Sequence, residues 1–316
     1  MLNFVFCIDD NYNLQTSSCI LSLLNNVDEK INIYIIHSSK IDSTFLSQEI
    51  ISNKNLNIIK VFKFDKKFNN FPNVEGKHVS EATYYRLFLE DYINPNISNM
   101  EFIIYLDGDI ICLDNPVKEL RKTISTMKKE NFCISANIET IRSEVSEHRF
   151  NSLGIKSNTY FNAGVMIINL KNWCSLDIKR KAIEIINSRS EVLELWDQDI
   201  LNICFENDFH TLDPILNYRF DILKPEKNTL NFIEENVKFL HYYGSTKPWS
   251  VKGIIYGYSN HYQVIYRKLG VSFYHITHKW KRLSVVVVIK SIFDLKLFKV
   301  QNYFRFLNDV VKSLIK

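Results

Sequence analysis

The stretch Phe102-Ile103-Ile104-Tyr105-Leu106-Asp107-Gly108-Asp109 sets five apolar residues directly against two carboxylates separated by one glycine. An apolar run of that length, ended by an abrupt polar step, reads as a strand buried on both faces, the kind found in parallel sheets. In open α/β sheets ligands bind beyond the carboxyl ends of the strands, which places Asp107 and Asp109 at a ligand-binding edge. Alternate carboxylates there can turn toward one cation, and Gly108 lets the backbone approach it closely. Solvated loop carboxylates are the ordinary outcome for such a pair in isolation. The position immediately after a buried strand favours the metal.

Working outward, the N-terminal third alternates short apolar runs with helical periodicity, as βαβ units do. Strands are expected at Asn3 to Ile8, Ile31 to Ile36 and Leu56 to Phe64, with helices at Leu14 to Leu24 and Phe45 to Ile51 between them. Ser80 is placed to cap a helix running to Tyr92. Beyond the acidic pair, strands are expected at Phe132 to Ala136, Val165 to Asn169 and Phe239 to Tyr242, and helices near Ile178 to Ile186 and Gln198 to Phe205. The pattern is that of a mostly parallel, mixed α/β sheet flanked by helices.

Composition agrees with one large folded body. Of 316 residues 46% are hydrophobic and only 8 are Gly and 6 Pro, which excludes collagen-like, low-complexity and disordered chains. Six cysteines without metal-ligand or disulfide-framework spacing read as reduced core thiols. Met1-Leu2-Asn3 runs straight into the first strand without a basic, cleavable leader, so a cytoplasmic location is expected.

Charge is divided unevenly. Residues 279–316 carry nine basic and two acidic residues, a net of +7, while the first 278 residues carry 30 basic and 33 acidic, a net of −3. In that tail Phe293, Leu297, Val300, Phe304, Leu307, Val311 and Leu314 recur every three or four residues, which predicts one basic amphipathic helix. The apolar run Val285–Ile289 is far shorter than the roughly 20 residues a membrane-crossing helix needs. The sequence therefore divides into a body, 1–278, and a tail, 279–316, suited to an anionic membrane surface or to packing as an ordinary helix. Nucleic acid is a poor partner for it, because the basic residues flank an apolar stripe instead of forming a flat face with interleaved base-stacking aromatics.

Other polar clusters also sit at expected element ends. In His241-Tyr242-Tyr243-Gly244-Ser245-Thr246-Lys247, an imidazole can complete a two-carboxylate coordination set, Gly244 permits backbone approach to phosphates, and Lys247 supplies a point charge, although for either residue alone a core histidine at a strand end or a solvated turn lysine is the commoner outcome. Cys7-Ile8-Asp9-Asp10-Asn11-Tyr12 closes the first strand where a nucleoside would lie; Asp9 or Asn11 can bind hydroxyls or a base edge and Tyr12 can stack, although a capping role is locally the commoner outcome. Asn162-Ala163-Gly164, in front of an apolar strand, and Asp197-Gln198-Asp199, opening a helix, offer donors and acceptors for sugar hydroxyls.

Taken in order, FCIDDNY, Thr83-Tyr84-Tyr85-Arg86-Leu87, YLDGDI, YFNAGVMIINLKNW, DQDILN and HYYGSTKPW resemble the family 8 glycosyltransferases, most closely the bacterial lipooligosaccharide α-galactosyltransferases. The resemblance implies a GT-A fold and Mn²⁺-dependent, configuration-retaining transfer of a hexose from a UDP-sugar, UDP-galactose or UDP-glucose, to a saccharide acceptor on a cell-surface glycolipid. It implies that Asp107, Asp109 and His241 bind the metal, with Mg²⁺ the less suited alternative because it prefers all-oxygen ligands. Cys7, Asp9, Asn11 and Tyr12 would hold uridine; Arg86, Gly108, Gly244 and Lys247 the sugar nucleotide and its diphosphate; and Asn162, Ala163, Asp197, Gln198 and Asp199 would surround the donor sugar and acceptor hydroxyl. Glu139 stands where the galactosyltransferases carry Asp, so acceptor identity does not transfer. An enzyme acting on a glycolipid would sit peripherally on the inner face of the cytoplasmic membrane, held by the tail. Two other readings are a sugar-nucleotide-binding or membrane-scaffold protein without turnover and a haloacid-dehalogenase-type phosphatase. The phosphatase pattern wants Thr or Val where Ile111 stands and gives YFNAGVMIIN no role.

Overall fold

The computed structural model describes residues 1–65, 71–72, 80–93, 100–223 and 229–315; Lys316, counted in the tail's charge, lies outside them. Ten strands are described: β1 (Asn3–Ile8), β2 (Ile31–His37), β3 (Leu56–Lys63), β4 (Phe102–Leu106), β5 (Ile110–Cys112), β6 (Ile134–Ile141), β7 (Thr159–Asn169), β8 (His210–Thr211), β9 (Tyr218–Arg219) and β10 (Phe239–His241). Seven form one sheet in the order β3-β2-β1-β4-β7-β6-β8, and β5-β10-β9 form a second. Strands β3, β2, β1 and β4 run parallel, and β7 is antiparallel to both β4 and β6.

Side chains alternate across a strand, so β1 feeds two cores at once. Phe4, Phe6 and Ile8 pack with Ile20, Leu23 and Leu24 of the helix Asn13–Asn26, whereas Val5 and Cys7 face Tyr85, Leu87 and the buried Trp173 on the opposite side. A sheet covered on both faces leaves its strand ends as the places where polar groups can meet a ligand.

Pairing brings those ends together. Because β1 and β4 are parallel, Asp9 and Asp107 leave the sheet at the same edge. After Gly108 the chain enters β5, whose antiparallel register with β10 sets Ile110 opposite His241. Parallel pairing of β9 with β10 sets Arg219 beside His241 and brings the preceding Asn217 close. On the other flank β7 pairs with β4, and the Asp107 N–H donates to the Gly164 carbonyl at 2.8 Å.

Three expectations change in detail. The helix expected at Phe45 to Ile51 is confined to Gln48–Ile51, because the preceding residues form a turn in which Asp42 Oδ1 accepts from the Thr44 amide and hydroxyl. Tyr160 to Gly164, read as lying ahead of a strand, are part of β7, where register shifts against β6 at Asn137 and again before Thr140 accommodate the polar Asn162. The helix capped by Ser80, whose Oγ accepts from the Ala82 amide at 3.2 Å, is a 3₁₀ segment, Glu81–Asp91, kinked at Phe88.

The tail is not one helix. It forms Lys281–Phe293 and Tyr303–Ile315, separated by a segment in which Leu295 and Asn302 adopt left-handed φ values of 58° and 52°. The seven-membered stripe accordingly splits: Leu297 and Val300 are buried with Phe306 and Val310 against Val251, Ile254, Ile255 and Tyr274, while Phe293 and Phe304 are 84% and 72% exposed. Spacing alone cannot register a break whose flanking turns preserve the same period. No helix among the described residues is long and apolar enough to cross a membrane. All six cysteines are free, four of them buried.

Candidate active site

A cavity of about 390 Å³ opens at the carboxyl edge of the sheet. At its floor Asp107, Asp109 and His241 offer ligand atoms that all lie within 4.8 Å of one another. Each is held. Tyr105 donates its hydroxyl to Asp107 Oδ1 at 2.7 Å, and Lys247 donates to Asp109 Oδ2 and to the Tyr242 carbonyl, both at 2.7 Å. Burial pushes the Asp109 carboxyl up, and the Lys247 ammonium beside it pulls the carboxyl down, below the ordinary carboxylate range.

The backbone anchors the orientation of His241. The Gly164 N–H donates to Asn162 Oδ1 at 3.0 Å, which fixes that atom as the acceptor; Asn217 Nδ2 donates to the same oxygen at 2.9 Å. Asn217 therefore turns its carbonyl Oδ1 to His241 Nδ1, 2.9 Å away, and the neutral imidazole carries its proton on Nδ1. In the neutral ring the bare Nε2 then faces Asp109 Oδ1 at 3.3 Å, and that oxygen is buried without a hydrogen-bond donor among the described residues. Two acceptors facing each other in a buried site are complementary to a cation, so this donor set fits a divalent metal.

Glycines make room for the arrangement. A Cβ on Gly164 would lie 2.4 Å from His241 Cε1, and one on Gly108 would lie 2.6 Å from Thr16 Oγ1, where the turn crosses the helix Asn13–Asn26.

At the second end of the cavity Asn162 and Gln198 form an amide cluster around Glu139. Asn162 Nδ2 donates to Gln198 Oε1 and to Glu139 Oε2, both at 3.1 Å; Gln198 Nε2 donates to Glu139 Oε2 at 2.9 Å. The Ala163 N–H fixes Gln198 by donating to Oε1 at 3.0 Å. Arg219 lies 3.4 Å from Glu139 Oε1. Between the two ends, buried Arg86 pairs with Asp197 at 2.6 Å, lies 3.5 Å from Asp107, and donates to the Ala163 carbonyl at 2.6 Å. Thr83 hydrogen-bonds Asp197, yet burial still raises that carboxyl to about 6.

At the third end Cys7, Asp9 and Tyr12 line the wall, and Tyr12 meets Trp249 edge to face at 6.1 Å. Asp9 also caps the turn after β1, accepting from the Asn11 amide at 2.9 Å. Gly108, Gly244 and Lys247 line the same space.

Three residues read as site groups stand outside the lining. Asn11 is exposed and bends its amide back to Asp9 Oδ2 at 3.3 Å. Ala163 contributes backbone alone, through the bonds to Arg86 and Gln198. Asp199 is fully buried, held by Arg149 and Tyr160 at 2.6 Å and by the Leu195 amide at 2.7 Å, and so serves the helix Trp196–Cys204 as an internal anchor. Adjacent side chains on a helix point about 100° apart, which is why Asp197, Gln198 and Asp199 cannot all face one cavity. Conversely, Thr83, Tyr105 and Asn217 act on the site without having been singled out. Thr83 and Tyr105 stand within stretches recognised as motifs, whereas Asn217 precedes a two-residue strand too short for any periodicity to reveal.

An open α/β sheet with paired carboxylates at the end of β4, met by a histidine from a second small sheet, has the GT-A arrangement of glycosyltransferases. The chain belongs to that class more narrowly: the family model "Glycosyl transferase family 8" matches residues 3–253, and the protein is a family 8 glycosyltransferase. It is 30% identical over 260 residues to "Lipopolysaccharide 1,2-glucosyltransferase" of Escherichia coli, covering 78% of this chain and 73% of that one. It is 29% identical to "Lipopolysaccharide 1,3-galactosyltransferase" of Salmonella typhimurium, covering 78% and 72%. Among solved structures, galactosyltransferase LgtC in complex with donor and acceptor sugar analogs superposes with a TM-score of 0.67 at 22% identity over 90% of this chain and 100% of that one, a likeness of fold.

Proposed function

We propose that the protein transfers galactose or glucose from a UDP-hexose to a saccharide acceptor of a cell-surface glycolipid such as lipooligosaccharide, with Mn²⁺ held by Asp107, Asp109 and His241 and with retention of anomeric configuration. The observation that carries this reading is the meeting of Asp107, Asp109 and His241 in the cavity, their ligand atoms all within 4.8 Å of one another and His241 Nε2 3.3 Å from the buried Asp109 Oδ1. The glucosyl- and galactosyltransferase names of its relatives support the two candidate hexoses and the glycolipid acceptor.

A bound divalent cation would neutralise charge on a diphosphate leaving group. Lys247 is placed to share that charge, which grows as the sugar–phosphate bond breaks, so its attraction is stronger in the transition state than in the ground state. Cys7, Asp9 and Tyr12 suit the nucleoside; Arg86, fixed by Asp197 and the Ala163 carbonyl and 3.5 Å from Asp107, suits the sugar nucleotide's diphosphate. Asn162, Gln198 and Glu139 offer donors and acceptors to sugar hydroxyls.

Retention follows best by a front-face route. Near the sugar end Asp197 is paired with Arg86, Asp199 is buried behind Tyr160, and Glu139 accepts two amide bonds while facing Arg219; the Gln198 amide is a poor nucleophile. The acceptor oxygen forms its bond to the anomeric carbon on the face from which the phosphate leaves, and its proton passes to that phosphate.

The exposed apolar residues of the tail, among them Trp280, Leu283 and Phe293, with Arg282, Lys290, Lys296 and Lys299 around them, suit a peripheral site on the anionic inner leaflet. The test of the catalytic reading is UDP release from UDP-galactose and UDP-glucose, with Mn²⁺ and with EDTA, with and without a truncated lipooligosaccharide. Mn²⁺-dependent release from one donor, stimulated by acceptor, is expected. Metal-dependent binding without release would leave a sugar-nucleotide-binding protein, and phosphate release from simple monoesters would favour a phosphatase.

A further inference from the structure

We infer that Asn217 is a positioning residue that ties the metal end of the cavity to its sugar end, setting the His241 tautomer with one amide atom and the Asn162–Gln198 cluster with the other. The inference rests on the metal reading of Asp107, Asp109 and His241 proposed above. Asn217 is 1% exposed and sits between the two ends, outside the lining of the cavity.

The chain of bonds has one direction. His241 Nδ1–H donates to Asn217 Oδ1 (2.9 Å), Asn217 Nδ2–H to Asn162 Oδ1 (2.9 Å), Asn162 Nδ2–H to Gln198 Oε1 (3.1 Å), and Gln198 Nε2–H to Glu139 Oε2 (2.9 Å). Two main-chain amides lock it: the Gly164 N–H on Asn162 Oδ1 and the Ala163 N–H on Gln198 Oε1. Backbone donors cannot reverse, so neither amide can flip without leaving a buried donor or acceptor unpaired. Among the described residues, Asn217 alone hydrogen-bonds both the imidazole and this locked cluster. A ligand that reorients His241 therefore moves the group that holds Asn162, and a sugar that draws on Asn162 or Gln198 acts back on the imidazole by the same path.

Two substitutions separate the two bonds. Asn217→Leu removes both. Asn217→Asp keeps an oxygen for His241 Nδ1–H but turns its second oxygen toward Asn162 Oδ1, acceptor against acceptor. The readouts are Mn²⁺ affinity by electron paramagnetic resonance of the free ion, the ¹⁵N shifts of the His241 ring in metal-free protein, and the affinities for UDP and UDP-hexose. Asn217→Leu should lose the Nδ1–H tautomer and weaken Mn²⁺ by about 10–100-fold. Asn217→Asp should keep the tautomer and bind Mn²⁺ within about threefold of the wild type, yet lose the difference in affinity between UDP-hexose and UDP.

Wild-type tautomer and Mn²⁺ affinity in Asn217→Leu would overturn the inference, as would equal damage to both ends in the two variants, which is what a merely structural residue would give. Should Asn217→Leu not fold, Asn217→Asp decides alone, since retained Mn²⁺ affinity with a lost hexose contribution is what only the coupled arrangement gives. Absence of Mn²⁺ binding by the wild-type protein would instead refute the metal reading, and the ring shifts would still test the positioning role.

Discussion

In and around the cavity, polar side chains are largely buried and answer one another: Arg86 meets Asp197, Lys247 meets Asp109, and Asn217 meets His241 and Asn162. In the tail, apolar side chains stand open to solvent: Trp280, Phe293 and Phe304 show 67%, 84% and 72% of their surface. The first region stores its specificity in fixed hydrogen bonds, where removal of one partner leaves another unsatisfied at a cost of about 1–3 kcal/mol. The second has surface to offer and few partners to lose. Changes in the cavity should therefore act on chemistry, and changes on the tail surface on location.

The largest effect is expected at the metal end. Asp109→Ala deletes a carboxylate and leaves Lys247 without its anion; metal-dependent UDP release should fall by roughly 10³-fold while the circular dichroism spectrum is retained. Activity within tenfold of wild type would remove Asp109 from the metal site. Next comes Gly164→Ala, whose Cβ meets His241 Cε1 at 2.4 Å. Crowding of this kind costs about 1–3 kcal/mol, which calorimetric unfolding would register, and it should weaken Mn²⁺ binding together with stability. Loss of stability with intact Mn²⁺ affinity would show that the ring has room to move.

A smaller effect is expected from pH. Asp197 holds Arg86 as a carboxylate, and burial raises it to about 6, so protons add to it as pH falls through that value. The proton removes the charge that fixes Arg86, and kcat should decline below about pH 6. Asp197→Asn, neutral at every pH, should be slower throughout and lack that acid limb; an unchanged limb would assign it to another group. The smallest catalytic effect belongs to the tail. Arg282→Glu with Lys290→Glu should weaken binding to phosphatidylserine vesicles by roughly 30-fold, taking about 1 kcal/mol per basic residue removed, and leave hydrolysis of soluble donor unchanged. Reduced hydrolysis would show that tail and cavity are not independent. Deleting residues 279–316 outright is a poorer test, because it would uncover Val251, Ile254 and Ile255.

The same contrast explains what was legible in the sequence. Phe102–Leu106 announced β4 because burial on both faces demands an unbroken apolar run, and Asp107 and Asp109 followed as its polar end. His241 was visible for the same reason at the end of β10. Asn217 was not, since its neighbours form a two-residue strand and its role exists only through partners 24 and 55 residues distant. Asp199 looked like a site residue because composition does not say which way a helix turns each side chain. In the tail, a period of three and four residues was real, but it survives the break near Leu295 unchanged, so periodicity could not tell one helix from two.

The most direct test of the central claim is calorimetric titration of UDP into the wild-type protein and into Asp109→Ala, each with Mn²⁺ and with EDTA. Tight binding confined to wild-type protein with Mn²⁺ is the result expected of a metal-bridged diphosphate site at the end of β4. Equal binding in EDTA, or equal binding by Asp109→Ala, would contradict it.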